Sequence, residues 1–333
     1  MLTRRTWVVS AVATALSPLA AWARHGGSGL SFPLFDAHAH LKSDDLHDYP
    51  HAPTPGPAPA PSAGQLTWPG TAPQPTTETP EVVRVLRWMD QNGVAGGAAV
   101  QHRGTYGVDN RYLLDCTDQY RTRLVPVPVL DAEDPTTPDT VRQMIVQHGL
   151  AGVRLTGIRS SDGSFPWLSS PAAQRTWAVV NESALAMDLM TLPPGSLPAA
   201  LGEYVRLAQQ YPKARLVLDH CAWLPAAGPP DYGLGATYRA LVAERNIYLK
   251  FTTVNLEALR LAQVKARDAL RHYVAVFGAD RLMWGSDIGS SSGLYAEMVA
   301  RIVAASSGLS RRDRRAVLHD TGQAVLVAGG RRV

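Results

Sequence analysis

Eight short apolar runs recur along the chain, each followed by a stretch of helical character, and this alternation limits the possible folds severely. The runs are Leu34–His40, Ala98–Gln101, Leu124–Leu130, Ala151–Thr156, Leu185–Leu192, Arg215–Cys221, Ile247–Thr253 and Arg281–Asp287. Between them lie helix-like stretches at Pro80–Asn92, Asp109–Gln119, Pro138–His148, Pro171–Ser183, Leu197–Gln210, Ala236–Glu244 and Leu256–Phe277. Two more, Gly293–Ala304 and Ser310–Val327, follow the last run. Strands separated by helices pair in parallel, and eight of them predict a closed (β/α)8 barrel, an α/β TIM barrel. A doubly wound open sheet is the rival. It usually has fewer strands and would want a phosphate-binding loop, yet Gly233-Leu234-Gly235 lacks the third glycine of GxGxxG.

Two segments stand outside this pattern. Arg4-Arg5, an apolar stretch to about Ala21, and Ala21-Trp22-Ala23 have the form of a bacterial export signal over residues 1–23. The arginine pair favours the twin-arginine (Tat) route, with an ordinary Sec signal as the alternative, and implies a periplasmic or secreted protein. Residues 24–333 then form one domain, of a size that suits a barrel of about 250 residues plus an insertion. That insertion is Pro50–Pro80, where ten prolines exclude helix and inner strand. The expectation is a long proline-rich loop after the first strand, lying across the barrel mouth and able to turn Tyr49, His51 and Trp68 toward a site. A disordered linker is the alternative.

The formal net charge of +4 falls further once Arg4 and Arg5 are removed, and no basic run interleaves with aromatics. Nucleic acid is therefore not an expected partner. The export stretch is too short and too broken for a stable membrane anchor. A small-molecule substrate is expected, and oligomeric state is left open. Two cysteines, Cys116 and Cys221, permit a disulfide without requiring one. Cys221 lies in an apolar run and is expected as a buried thiol.

Chemistry concentrates where strands end. Side chains alternate along a strand, so His38 and His40 of Asp36-Ala37-His38-Ala39-His40 point the same way and form a two-imidazole clamp. Asp36 should share that face and support the clamp by hydrogen bonding. His220 closes the sixth run and Asp287 the eighth. All four sit at carboxyl ends of strands, where barrels of this kind work. Together they could hold a divalent metal, with His38, His40 and Asp287 as ligands, or activate a water. Asp287 is the candidate general base. Asp219 should face away from His220 and be structural. Arg154, at the end of the fourth strand and expected to face the mouth, could grip a substrate carboxylate with two parallel hydrogen bonds, or pair with a rim acid. Gln101, Arg103 and Tyr49 are further substrate-binding candidates, Arg103 a weaker one. Lys250 could point inward, where pairing with an interior acid is the expected role.

The order D-x-H-x-H, then a strand ending in Asp219-His220, then Met283-Trp284-Gly285-Ser286-Asp287, resembles the metal-dependent hydrolases of the amidohydrolase superfamily. The branch it resembles most is the amidohydrolase-related (amidohydrolase 2) group, with 2-pyrone-4,6-dicarboxylate lactonase and sugar-lactone hydrolases. Val100–Asn110 resembles that branch's second-strand loop, Gly152-Val153-Arg154-Leu155 its fourth strand, and Tyr248-Leu249-Lys250 its seventh. The resemblance implies a barrel hydrolysing at a carbonyl carbon, opening a lactone or similar cyclic ester. It implies one divalent metal, zinc or manganese, with metal-independent reaction as the alternative. One departure counts: many superfamily members carry a histidine at the end of strand five, where this chain reads Met190-Thr191-Leu192-Pro193-Pro194. A non-oxidative decarboxylase of the same superfamily would want that histidine. A catalytically retired exported binding protein is the reading from another class.

Overall fold

The polypeptide alternates strand and helix as its apolar pattern predicts. The computed structural model describes residues 29–53, 78–192 and 197–327. The export-signal reading, most of the proline-rich loop with Trp68, and Pro193-Pro194 lie outside the described residues.

Eight parallel strands form the centre: β1 (Leu34–Ala39), β2 (Val94–Val100), β3 (Leu124–Val127), β4 (Gly152–Gly157), β5 (Ala186–Thr191), β6 (Arg215–Leu218), β7 (Ile247–Thr252) and β8 (Leu282–Gly285). Regular ladders join β1-β2-β3 and β4-β5-β6-β7-β8. Two thinner seams connect these sheets. Between β3 and β4, Ala151 N donates to Pro126 O (3.1 Å) and Arg154 N to Pro128 O (2.8 Å). Pro126 and Pro128 accept there but have no N–H to return, which is why β3 is short and its ladder to β4 sparse. Between β8 and β1, Asp287 N donates to His38 O (2.7 Å) and His40 N to Ile288 O (3.0 Å). The strands thus follow one another in sequence order around a TIM barrel.

Two apolar layers result. Inside, Val100, Val127, Val217 and Met283 cluster with Phe35 of β1 and with Val325 and Leu326 of the last helix. Outside, a larger core fills the space between strands and helices, with Trp177, Leu207, Leu249 and Ile302 among its fully buried members. Among the described residues no helix is long and apolar enough to cross a membrane.

Several element boundaries differ from the sequence pattern, β3 ending at Val127 and β8 at Gly285, and two differences matter most. The single helix expected over Leu256–Phe277 is two, Thr253–Leu261 and Ala266–Phe277. Gln263 takes a left-handed φ of 56° and ends the first, the usual conformation just past a helix terminus. The run expected to reach Cys221 stops at Leu218, with consequences for the site. Both cysteines are buried free thiols.

Candidate functional site

β1 and β8 meet at the seam because a glycine lets them. A Cβ at Gly285 would lie 2.5 Å from the Cβ of His38, so only glycine allows this approach. The strand-eight loop then turns sharply, with Asp287 at a left-handed φ of 58°. Asp36 pins that turn. Its carboxylate accepts from Ser286 N (2.8 Å), His38 N (3.1 Å) and the Tyr295 hydroxyl (3.0 Å). Pairing of β1 with β2 is irregular between Asp36 and Ala39. Simple alternation therefore fails there, and Asp36 clamps backbone and Tyr295 while the imidazoles face the mouth.

His38, His40, His220 and Asp287 are all buried and come together. His38 Nε2 is 3.2 Å from His40 Nε2. Asp287 Oδ1 lies 3.5 Å from His38 Nε2 and 3.2 Å from His40 Nε2. The rings of His38 and His220 are 5.3 Å apart, and His38, His220 and Asp287 each offer a ligand atom within 4.8 Å of the others.

Hydrogen bonds on the far side of each ring set its tautomer. His40 Nδ1 lies 2.7 Å from Val100 O, a carbonyl that can only accept, so Nδ1 carries the proton. His38 Nδ1 lies 3.2 Å from Asp219 Oδ1 and 3.4 Å from Lys250 Nζ; with its proton turned to the carboxylate, Nε2 is left as a ligand. His220 Nδ1 meets the Thr252 hydroxyl at 2.8 Å; Thr252 in turn lies 3.3 Å from Asn255 Oδ1, where it donates. All three Nε2 atoms then present lone pairs. Asp287 Oδ2 takes the Ser291 hydroxyl at 2.7 Å, while Oδ1 is buried with no hydrogen-bond donor.

Lone pairs converging on an unpartnered carboxylate oxygen need a positive centre between them. A proton suits it poorly. Burial lowers His38 well below the ordinary imidazole value, holds His40 near about 3, and lowers His220. Burial raises Asp287. Three neutral imidazoles and one carboxylate are a fitting donor set for a divalent cation.

Under this cluster lies a layer of full charges. Lys250 of β7 contacts Asp188 of β5 and approaches Asp219 Oδ1 at 3.4 Å. Arg154 donates through Nε to Asp219 Oδ2 (2.8 Å) and through Nη1 to Gln101 O (3.1 Å), with Nη2 3.0 Å from Met190 Sδ. Burial acts to raise Asp219, but Lys250, Arg154 and His38 outweigh it and hold the carboxyl well below its usual range.

The chain between β6 and the next helix is unusual. His220, Cys221, Ala222 and Trp223 all have positive φ, 52°, 52°, 50° and 55°: one left-handed turn without glycine, a conformation costing about 1–2 kcal/mol per residue. Asn255 Nδ2 donates to His220 O (2.8 Å), Tyr238 OH to Ala222 O (2.9 Å) and Trp223 Nε1 to Thr191 O (2.7 Å). The turn brings His220 and Asp219 both to the interior.

Several expectations are corrected here. Asp219 does not face away from the site; it holds His38. The Arg154 fork expected for a substrate carboxylate is taken up by protein groups, because a buried guanidinium requires a counter-charge. The Gln101 side chain bonds Asp109 O and fixes its own loop. Tyr49 donates to Asp115 Oδ2 at 2.9 Å and packs on Tyr112, away from the imidazoles. Arg103 reaches Thr156 O and Oγ1 at 3.1 and 3.0 Å and lines a cleft of about 310 Å³ beside the ends of β3 and β4. Two residues the sequence reading missed belong to the surroundings. His102 sets its ring 4.9 Å from that of His40, and the charge of Asp287 acts on half-buried Lys42. The signal available for His102 was its place directly after the second strand.

Comparison with known proteins gives three findings. The amidohydrolase family model matches residues 35–326. L-fucono-1,5-lactonase from Burkholderia ambifaria is 27% identical over 202 residues, 60% of this chain and 66% of that protein, so the match spans just under two thirds of the relative. Among solved structures, a Pseudomonas putida protein named for 2-pyrone-4,6-dicarboxylic acid hydrolysis superposes with a TM-score of 0.64 at 23% identity, covering 90% of this chain and 98% of that one. The 5-carboxyvanillate decarboxylase of Novosphingobium aromaticivorans, complexed with manganese, gives 0.63 at 13% identity, covering 91% and 98%. At these identities the structural likeness shows the barrel fold alone.

Proposed function

The chain belongs to the amidohydrolase family, and from that premise we propose that it hydrolyses a lactone or similar cyclic ester, with a sugar lactone as the preferred class. The observation carrying this reading is the buried, donor-free Oδ1 of Asp287 facing the imidazole cluster. The fuconolactonase relative supports the substrate class. One divalent ion, zinc or manganese, would be held by His38, His40, His220 and Asp287, and would supply Lewis-acid polarisation of the carbonyl and acidification of water.

The chain's own groups do the rest. Ser291 fixes Oδ2, which aims Oδ1 at the cluster to take the proton from water. Asp219, Val100 O and Thr252 keep the three rings in one tautomer. Lys42, on which the charge of Asp287 acts, would supply positive charge for the carboxylate that ring opening leaves. Arg103, which lines the cleft beside the ends of β3 and β4, is the candidate for binding the substrate's hydroxyls.

The test is a pH-stat assay on a sugar-lactone panel including L-fucono-1,5-lactone, with 2-pyrone-4,6-dicarboxylate and 5-carboxyvanillate alongside. Turnover of at least one sugar lactone is expected. Carbon dioxide release from 5-carboxyvanillate with every lactone untouched would sink the proposal.

Export by the Tat route, with cleavage near Ala23, is proposed on the Arg4-Arg5 and Ala21-Trp22-Ala23 pattern. Arg4→Lys with Arg5→Lys should abolish periplasmic accumulation; unchanged yield would assign the Sec route.

A further inference from the structure

Below the imidazole cluster the barrel holds a second set of ligand-type atoms. His38, Asp188 and Asp219 each place one such atom within 4.8 Å of the other two, and all three residues are buried. In composition this is a metal-type site, with one imidazole nitrogen and two carboxylates. The space among these atoms is not free. Lys250 Nζ contacts Asp188 Oδ2, lies 3.4 Å from Asp219 Oδ1 and lies 3.4 Å from His38 Nδ1. Both Lys250 and Asp188 are fully buried. Two buried carboxylates without a cation would carry a heavy desolvation cost, and the ammonium removes it.

We infer that Lys250 is a positioning residue that acts as the barrel's built-in cation, filling a metal-type site formed by His38, Asp188 and Asp219 and so restricting the centre to one ion at the mouth. The reasoning turns on the two nitrogens of His38. A divalent ion in the lower site would bind His38 through the Nδ1 lone pair. The ring proton would then move to Nε2, and an ion at the mouth would lose His38 and be left with His40, His220 and Asp287 as ligands. An ammonium makes no such demand. It carries the needed charge and leaves His38 Nδ1 facing Asp219 Oδ1, the nearer of its two neighbours at 3.2 Å. Arg154 on Asp219 Oδ2 completes the layer, so that two cations face two carboxylates. This inference concerns the charge layer and does not depend on lactone hydrolysis.

The experiment is metal counting on the full-length protein. Wild type and Lys250→Ala are equilibrated with manganese, freed of excess ion, and analysed for manganese per chain and by electron paramagnetic resonance. The variant is expected to hold one ion more than wild type and, where wild type holds one, to show the spin coupling of a two-ion centre. Its thermal midpoint should rise with manganese far more than that of wild type. A folded Lys250→Ala with the wild-type ion count overturns the inference. The companion variant Lys250→Met with Asp188→Leu removes one charge of each sign. It should fold and gain no ion. If it folds while Lys250→Ala stays unfolded at every manganese concentration, a metal cannot replace the ammonium and the inference fails. If neither variant folds, the requirement is for the lysine's packing instead of its charge, which overturns it equally.

Discussion

The imidazole cluster and the ionic layer beneath it use the same residue types and the same burial, yet they are finished differently. In the layer each charge meets its opposite: Lys250 with Asp188, and Arg154 with Asp219. In the cluster three nitrogen lone pairs and a carboxylate oxygen converge with no donor among them. Asp188 Oδ1 and Asp219 Oδ1 are, like Asp287 Oδ1, buried without a hydrogen-bond donor, but each carboxyl of the layer has a cation against it, and a charge-paired network holds atoms in place. An incomplete one, at the carboxyl ends of the strands, is where a ligand gains most by binding. The contrast separates the residues proposed to do chemistry from residues that hold them still.

The largest expected effect comes from removing the incomplete side. Asp287→Asn keeps the Ser291 contact but loses basicity and a ligand charge. Turnover should fall about 10²–10⁴-fold, with the circular dichroism spectrum unchanged. Wild-type turnover would transfer the base role to another group.

Next is the link between the two regions. Asp219→Asn removes the anion that fixes His38 Nδ1–H. Affinity for the divalent ion should drop roughly 10–100-fold, read by titration with a competing chelator. An unchanged affinity would mean that the layer does not orient the cluster.

A smaller effect concerns acid. Burial holds His40 near about 3 against an ordinary 6.5, and it lowers His38 with the same sign. Between those values the unfolded chain binds protons that the fold refuses, so stability falls as pH drops through that window. Asp188, pushed up by burial to about 6, and Asp36 and Asp287, raised by burial from 3.8, act oppositely and offset part of this slope. The thermal midpoint of chelator-treated protein should decline between about pH 7 and about pH 4.5, and His40→Asn should flatten the slope. A flat wild-type profile would contradict neutral buried imidazoles.

The smallest is Ala222→Gly in the left-handed turn, which relieves a strained φ of 50°. Stability should rise by up to about 1 kcal/mol, the strain being partly offset by glycine's entropy, as measured by denaturant unfolding. A loss of stability would show that the Ala222 methyl is needed for packing.

The order of strands and helices was legible because apolar periodicity records burial. His38, His40, His220 and Asp287 were found because each closes an apolar run. Asp219 was misplaced for a definable reason. Alternation puts neighbours on opposite faces only while the strand lasts, and β6 stops at Leu218. The left-handed turn that follows has no glycine or asparagine to announce it. Asp188 went unremarked because a single acid in an apolar strand gives no hint of its partner 62 residues away. Arg154 was read as facing the mouth because its counter-charge, Asp219, had been assigned to the other side.

The seam between β1 and β8 also sets when the site can exist. Asp36 accepts from Ser286 N across a sequence separation of 250 residues. At ribosomal rates of about 5–20 residues per second, the histidine strand waits roughly 12–50 s for its partner. During that interval His38 and His40 have neither Asp287 opposite them nor the Ser286 contact that holds Asp36. A nascent or truncated chain ending before Ser286 therefore carries the imidazoles without the centre, and on the proposed function metal capture would report on completed synthesis.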